Sequence, residues 1–198
     1  MNLFLNLLRL VIGVGMPILT IVFSYQAHRI AQQDQNEGRL VDGICLKCHR
    51  SQKGDQAIFA YTKNPQNPRQ GMKQKHLPQA ETTLQGTETH HVCSPCAERY
   101  VRHEIILQTL MVLPYPLVRG ITALMPNSAV SSNFLLEIYL MVFSIAGAVS
   151  AWHLHRALRA GETPLAEIRD RVAIQVRKDF LGKNFGYYTR AGMRYLNK

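Results

Sequence analysis

Residues 134–153 read FLLEIYLMVFSIAGAVSAWH, twenty positions with one charged side chain, Glu137. A helix rises about 1.5 Å per residue, so this run spans the roughly 30 Å of a bilayer's hydrocarbon. Two further blocks of similar length and character precede it, at 105–125 and 4–25. The rest of the 198-residue chain, 26–103 and 156–198, is polar and basic. A soluble domain would scatter its apolar residues at helix or strand period instead of segregating them. The pattern predicts an α+β membrane protein. It would have three transmembrane helices, a small four-cysteine β module and a C-terminal amphipathic helix.

The formal net charge is +10 and unevenly placed. Residues 26–103 hold 11 Lys/Arg against 7 Asp/Glu, and 156–198 hold 10 against 4, whereas the connection Met125–Asn133 carries no charge. Cytoplasmic loops accumulate Lys and Arg. The expectation is a multi-pass protein of the cell membrane with 26–103 and the tail in the cytosol, Pro126–Asn133 outside, and the N-terminus outside. A cleaved signal peptide is the competing reading of residues 1–27. It needs a basic start and small residues before the cut. Here Arg9 already lies inside the apolar run, which ends Phe23-Ser24-Tyr25-Gln26. An uncleaved span is therefore expected.

Within the spans, Pro114 and Pro116 predict a kink near Pro114, because proline donates no hydrogen bond and clashes with the preceding turn. Small residues four apart, Ser144/Ala148 and Gly147/Ala151, permit close helix contact. Tyr139 and Trp152 suit the interface. Arg9, Arg119 and Glu137 all fall roughly 5–9 Å from the outer end by helical rise. Two readings stay open for them. Glu137 pairs with Arg119, and with Arg9 as well, or each side chain snorkels separately to the headgroups. A proton path needs polar groups through the full thickness, and none lies deeper.

All four cysteines fall in two C-x-x-C turns, Cys45-Leu46-Lys47-Cys48 and Cys93-Ser94-Pro95-Cys96, with 44 residues between them. Two such turns can supply four thiolates to one tetrahedral Zn²⁺, a closed structural site with no open position for catalysis. Gln56–Lys63 reads as a strand and residues 64–79, with three prolines and Gly71, as a loop. The Thr-rich segment 82–92 reads as the returning strand. The stretches Gly43–Cys48 and His91–Cys96 resemble the two knuckles of a zinc ribbon. More narrowly, they resemble bacterial multi-pass membrane proteins of unassigned role that join such a ribbon to membrane helices. The resemblance covers about a third of the chain, and it implies one structural zinc on Cys45, Cys48, Cys93 and Cys96 in a module over 39–100.

Three rivals compete for these cysteines. Cys45–His49 also reads C-x-x-C-H, the c-type haem pattern with His49 as axial ligand, which would make a membrane electron carrier. That chemistry belongs outside the cytosol and leaves Cys93 and Cys96 unexplained. Disulfides need an oxidising compartment, and a redox C-x-x-C needs a βαβ setting. His49 and His91 read as neighbours that hydrogen-bond sulfur, not as ligands.

In the tail, Thr163 suits a helix N-cap, Pro164 the first turn and Gly182 the stop. Leu165, Ile168, Val172, Val176 and Phe180 form one stripe between them, with basic Arg171, Arg177 and Lys178. The stripe suits the cytosolic leaflet, the zinc module or a partner. Phe185, Tyr187, Tyr188 and Tyr195, among Arg190, Arg194 and Lys198, continue the same character. Lys63, Arg69, Lys73 and Lys75 on the loop suit solvent first, then lipid headgroups; nucleic acid is not an expected partner. No nucleophile–base pair, phosphate loop or carboxylate pair appears. The expected role is structural, binding or assembly. Expected partners are the bilayer and another protein or a second copy. An accessory subunit of a transporter or membrane enzyme is the remaining alternative.

Overall fold

Helical hydrogen bonding does not stop where the apolar residues do. The computed structural model describes residues 7–35, 40–63, 84–124, 134–160, 163, 165–181 and 185–196. In it a π-helical segment, Val11–Gly15, runs into helix α1, Met16–Gln35, ten residues past the end of the apolar block at Tyr25. Helix α2, Ser94–Val112, starts well before position 105, and α4, Phe134–Arg159, continues past His153. Gln, Arg and Glu propagate a helix as well as Leu does, so hydropathy marks the lipid-compatible part and not the helix end. Three stretches, Leu7–Asp34, Ser94–Thr122 and Leu135–Arg159, are long and apolar enough to cross a membrane. Large side chains such as Leu10, Ile21, Leu110, Leu117 and Leu135 are exposed on them. The connection Pro126–Asn133, residues 4–6, the loop 64–79, Pro164 and Gly182 lie outside the described residues.

The chain divides into two units, 1–32 with 99–157, and 33–98 with 158–198. In the first, α2 ends at Val112, Leu113 forms a turn, and α3, Pro114–Leu124, begins at the expected proline. The main chain bridges this point through Leu113 N–H to Thr109 O at 3.0 Å and Leu117 N–H to Leu113 O at 3.2 Å. The small-residue stripe of α4 is buried at Ser144, Gly147, Ala148 and Ala151. A Cβ on Gly147 would stand 2.6 Å from Val112 Cγ2 and 3.1 Å from the Gln108 carbonyl. Gln108, almost wholly buried, donates to Ser150 Oγ at 3.4 Å. Gly147→Val is expected to cost about 1–3 kcal/mol by overpacking a site that cannot yield. A melting temperature of the detergent-purified chain equal to wild type would refute this contact.

The three charges expected within the spans pair. Glu137 accepts both Arg9 Nε at 2.8 Å and Arg9 Nη2 at 2.9 Å, and Arg119 Nη1 stands 3.6 Å from the same carboxylate. Separate snorkelling is therefore not the arrangement, and Arg9 is the primary partner where Arg119 was the first expectation.

The second unit is a four-stranded sheet. β1, Val41–Ile44, β2, Ser51–Lys63, and β3, Leu84–Cys93, run antiparallel in that spatial order. β2 is longer than the strand read from its alternation, and the Thr-rich segment does return along it, Gly54 opposite Cys93. Helix α5, Ala166–Leu181, packs on β2, burying its Ile168, Val172 and Ala173 and the preceding Leu165, while Ala57, Phe59 and Ala60 of β2 are buried too. Of the three surfaces open to the stripe, the sheet is the one it covers. The expected cap differs: Leu165 takes a left-handed φ of 61°, and Ala166 N–H bonds the main-chain oxygen of Thr163 at 3.2 Å. The Thr163 hydroxyl is not the cap.

The segment after α5 is also not a continuation of it. Phe185–Thr189 forms strand β4 on the end of β2, followed by helix α6, Arg190–Leu196. β1 and β4 share one edge of β2, pairing with 51–54 and 59–63. Between them the edge is closed by side chains. Fully buried Asp170 accepts Ile58 N–H at 2.8 Å, and Arg190, bonded to Asp170, donates to the Gln56 carbonyl.

A second ion pair ties α5 to β3. Arg177 donates both Nε and Nη2 to Glu88 at 2.8 Å, and His90 Nε2 lies 2.7 Å from the same carboxylate. The Arg177 guanidinium, ahead of His90, holds the Glu88 carboxyl below its ordinary value of 4.5. A lowered carboxyl stabilises the fold above the unfolded value, and the contribution fades as pH falls through the folded value. The stability gap between wild type and Glu88→Gln is therefore expected to be constant above about pH 5.5 and to shrink below 4.5. Denaturant midpoints across pH measure it, since acid acts on the thiols equally in both chains. A gap independent of pH would refute it.

Candidate metal centre

The first C-x-x-C turn is the tip of the β1–β2 hairpin, whose last pair is Ile44 with Ser51. Its six residues fold back tightly. Cys45 N–H bonds Arg50 O at 3.0 Å, His49 N–H bonds Cys45 O at 2.9 Å, and His49 takes a left-handed φ of 57°. Leu46 N–H reaches across to His91 O at 2.9 Å, joining this turn to β3.

The second pair sits differently from the expected second knuckle. Cys93 is the last residue of β3, and Ser94 opens α2, so Cys96 lies in the first turn of a helix. A helix N-terminus presents unbonded N–H groups and a partial positive charge, both favourable to thiolate. Approach of the two pairs depends on Gly54, where β2 passes β3: a Cβ there would stand 2.4 Å from the Val92 carbonyl oxygen and 2.6 Å from Cys93 Cα.

The result is a compact sulfur cluster. The four Sγ atoms lie within 4.8 Å of one another, with Cys45, Cys93 and Cys96 buried and Cys48 half-buried. Cys48 Sγ is 3.7 Å from Cys93 Sγ. Four thiolates at about 2.3 Å from one Zn²⁺ have edges of about 3.8 Å, whereas a disulfide needs about 2.05 Å. All four cysteines are free. The donor set and spacing therefore suit a metal ion. Cys45 is fully buried and its sulfur accepts Cys93 N–H at 3.4 Å, so it faces the other cysteines and not a porphyrin edge.

No family model, curated protein or solved structure matches the chain. What the centre can do rests on its own chemistry.

Thiol electrostatics favour a cation. Burial raises the Cys45 thiol, but N–H donation from Cys93, Cys48 and Lys47 outweighs it and brings the group down to about 7. Burial pushes Cys96 up to about 11 and Cys93 higher still, with the neighbouring Cys45 adding to both. One thiolate thus ionises readily, and further negative charge is resisted. A divalent ion between the sulfurs removes that resistance, because coordination deprotonates a thiol outright.

His49 and His91 are not gathered with the sulfurs. His91 Nε2 instead bonds the Gln52 carbonyl at 3.0 Å, bracing β2 against β3.

Three residues behind the centre went unread in the sequence. Arg169 of α5 is wholly buried, and its Nη2 donates to buried Asp34 and, at 3.1 Å, to Ser94 Oγ inside the second C-x-x-C turn. Ser94 Oγ also donates to Asp34 at 3.1 Å. Arg169 stands one turn after Leu165 on the buried face of α5, the signal that could have marked it.

Proposed function

We propose that the chain is a membrane-anchored protein whose four cysteines hold one structural Zn²⁺, making its sheet unit a binding or assembly module. The supporting observation is the single cluster of four sulfurs within 4.8 Å, built from a hairpin tip and a helix start. Tetrahedral all-thiolate sites of this kind are closed, so the ion contributes folding energy and no chemistry. The likeness of Gly43–Cys48 and His91–Cys96 to zinc-ribbon knuckles supports the same ion, although the second pair starts a helix. The charge asymmetry supports the module and tail in the cytosol, with the N-terminus outside. The bilayer is one partner, and another protein or a second copy is the other. Metal analysis of the purified full chain tests the reading, with about one zinc per chain expected. A chain purified without chelator that holds no zinc overturns it. An impermeant thiol reagent that labels these cysteines from outside intact cells overturns the sidedness.

A further inference from the structure

The charged trio of the first unit carries one positive charge too many. Arg9 and Glu137 cancel through two short hydrogen bonds, and Arg119 approaches the carboxylate only to 3.6 Å. A separation of that length is not a hydrogen bond, so most of the Arg119 fork is uncommitted among the described residues. Its side chain is 43% exposed against 17% for Glu137.

Both guanidiniums border one groove of about 450 Å³, otherwise lined by Leu10, Gly13, Val14 and Pro116. Gly13 and Val14 belong to the π-helical segment. Such segments widen a helix locally and recur at functional sites. Beside the groove, the Tyr115 ring lies 3.4 Å from where a Cβ on Gly13 would stand. The Tyr115 hydroxyl is buried and has no hydrogen-bond partner among the described residues. The groove thus combines a net cation and apolar walls.

We propose that this groove binds the phosphate of an anionic lipid, with Arg9 and Arg119 as its guanidinium partners. A guanidinium fork matches phosphate oxygens, and the glycerol and acyl carbons would lie along Leu10, Val14 and Pro116. Snorkelling alone does not account for the geometry, since Glu137 pins Arg9 and draws Arg119 back toward it. The inference rests on the membrane reading above, because the lipid comes from the bilayer.

The test uses the full chain purified in mild detergent and native mass spectrometry with phosphatidylglycerol or phosphatidylcholine. Phosphatidylglycerol should be retained preferentially. Arg119→Gln should lower that preference about fivefold, the worth of one basic residue at an anionic surface. Arg119→Lys should fall between. Arg29→Gln, the same charge change at an exposed position of α1, should leave it unchanged. No preference in the wild type, or equal loss in the Arg29 variant, overturns the site. Displacement of phosphatidylglycerol by inorganic phosphate overturns the lipid source in favour of free phosphate. Carbonate washing of cell membranes separates the two readings. A chain that stays in the membrane without lipid preference refutes this site alone, and a chain that washes off refutes both.

Discussion

Cys93→Ser is expected to unfold the sheet unit while leaving the three apolar helices embedded in detergent or lipid. The sulfur of Cys93 is buried and central, 3.7 Å from that of Cys48, and its own main-chain N–H donates to Cys45. A structural zinc site contributes about 10–16 kcal/mol of apparent binding energy. A domain's whole net stability is about 5–15 kcal/mol. Loss of one thiolate therefore outweighs what sheet and helix burial can supply alone. Cys45→Ser, Cys48→Ser and Cys96→Ser should behave alike, and so should a strong chelator on the wild type. Limited proteolysis reads the outcome: residues 40–63, 84–93 and the tail become cleavable, and the apolar stretches stay protected. A Cys93→Ser chain that keeps both its metal and its protease resistance would end the metal-centre account.

The second large effect belongs to Arg169. Its side chain and that of Asp34 are fully buried, and together they hold Ser94 beside the cysteines. Removing one member of a buried pair strands the other charge and costs about 3–5 kcal/mol. Arg169→Met should therefore lower the denaturant midpoint sharply. Removing both charges in Asp34→Asn/Arg169→Met should recover much of the loss, because the cost is mainly a buried carboxylate that has lost its guanidinium partner. Zinc content should stay the same in the folded fraction of each variant, since none of these residues ligates the ion. Equal destabilisation in the single and double variants would show that the pair acts through packing and not through charge.

Local pattern carried a large share of this protein. Three runs of about twenty apolar residues announce helices able to cross a membrane, because lipid demands the same property of every exposed position. The break before Pro114 follows from a missing N–H, and the stripe of α5 from a spacing of three and four. The two C-x-x-C turns announced a cluster of four sulfurs able to hold a metal ion, because sulfurs three residues apart can reach one ion whatever surrounds them. Gly147 stood out as a small residue in a repeating pattern.

Other features had no local trace. Phe185–Thr189 reads as more basic, aromatic tail, and becomes a strand only because residues 59–63 of β2 offer it an open edge. Cys96 heads a helix and not a second hairpin, since α2 begins at Ser94 while the apolar signal of that helix begins only at position 105. Glu137 chose Arg9 by the packing of three helices, a pairing 128 residues apart in sequence. Asp34 and Arg169 are 135 residues apart. The sequence by itself determined which segments are apolar and which carry thiols, since both are properties of single residues and their near neighbours. Tertiary structure alone decided which strand completes the sheet and which buried charges meet, because those contacts join distant residues and leave no period to read.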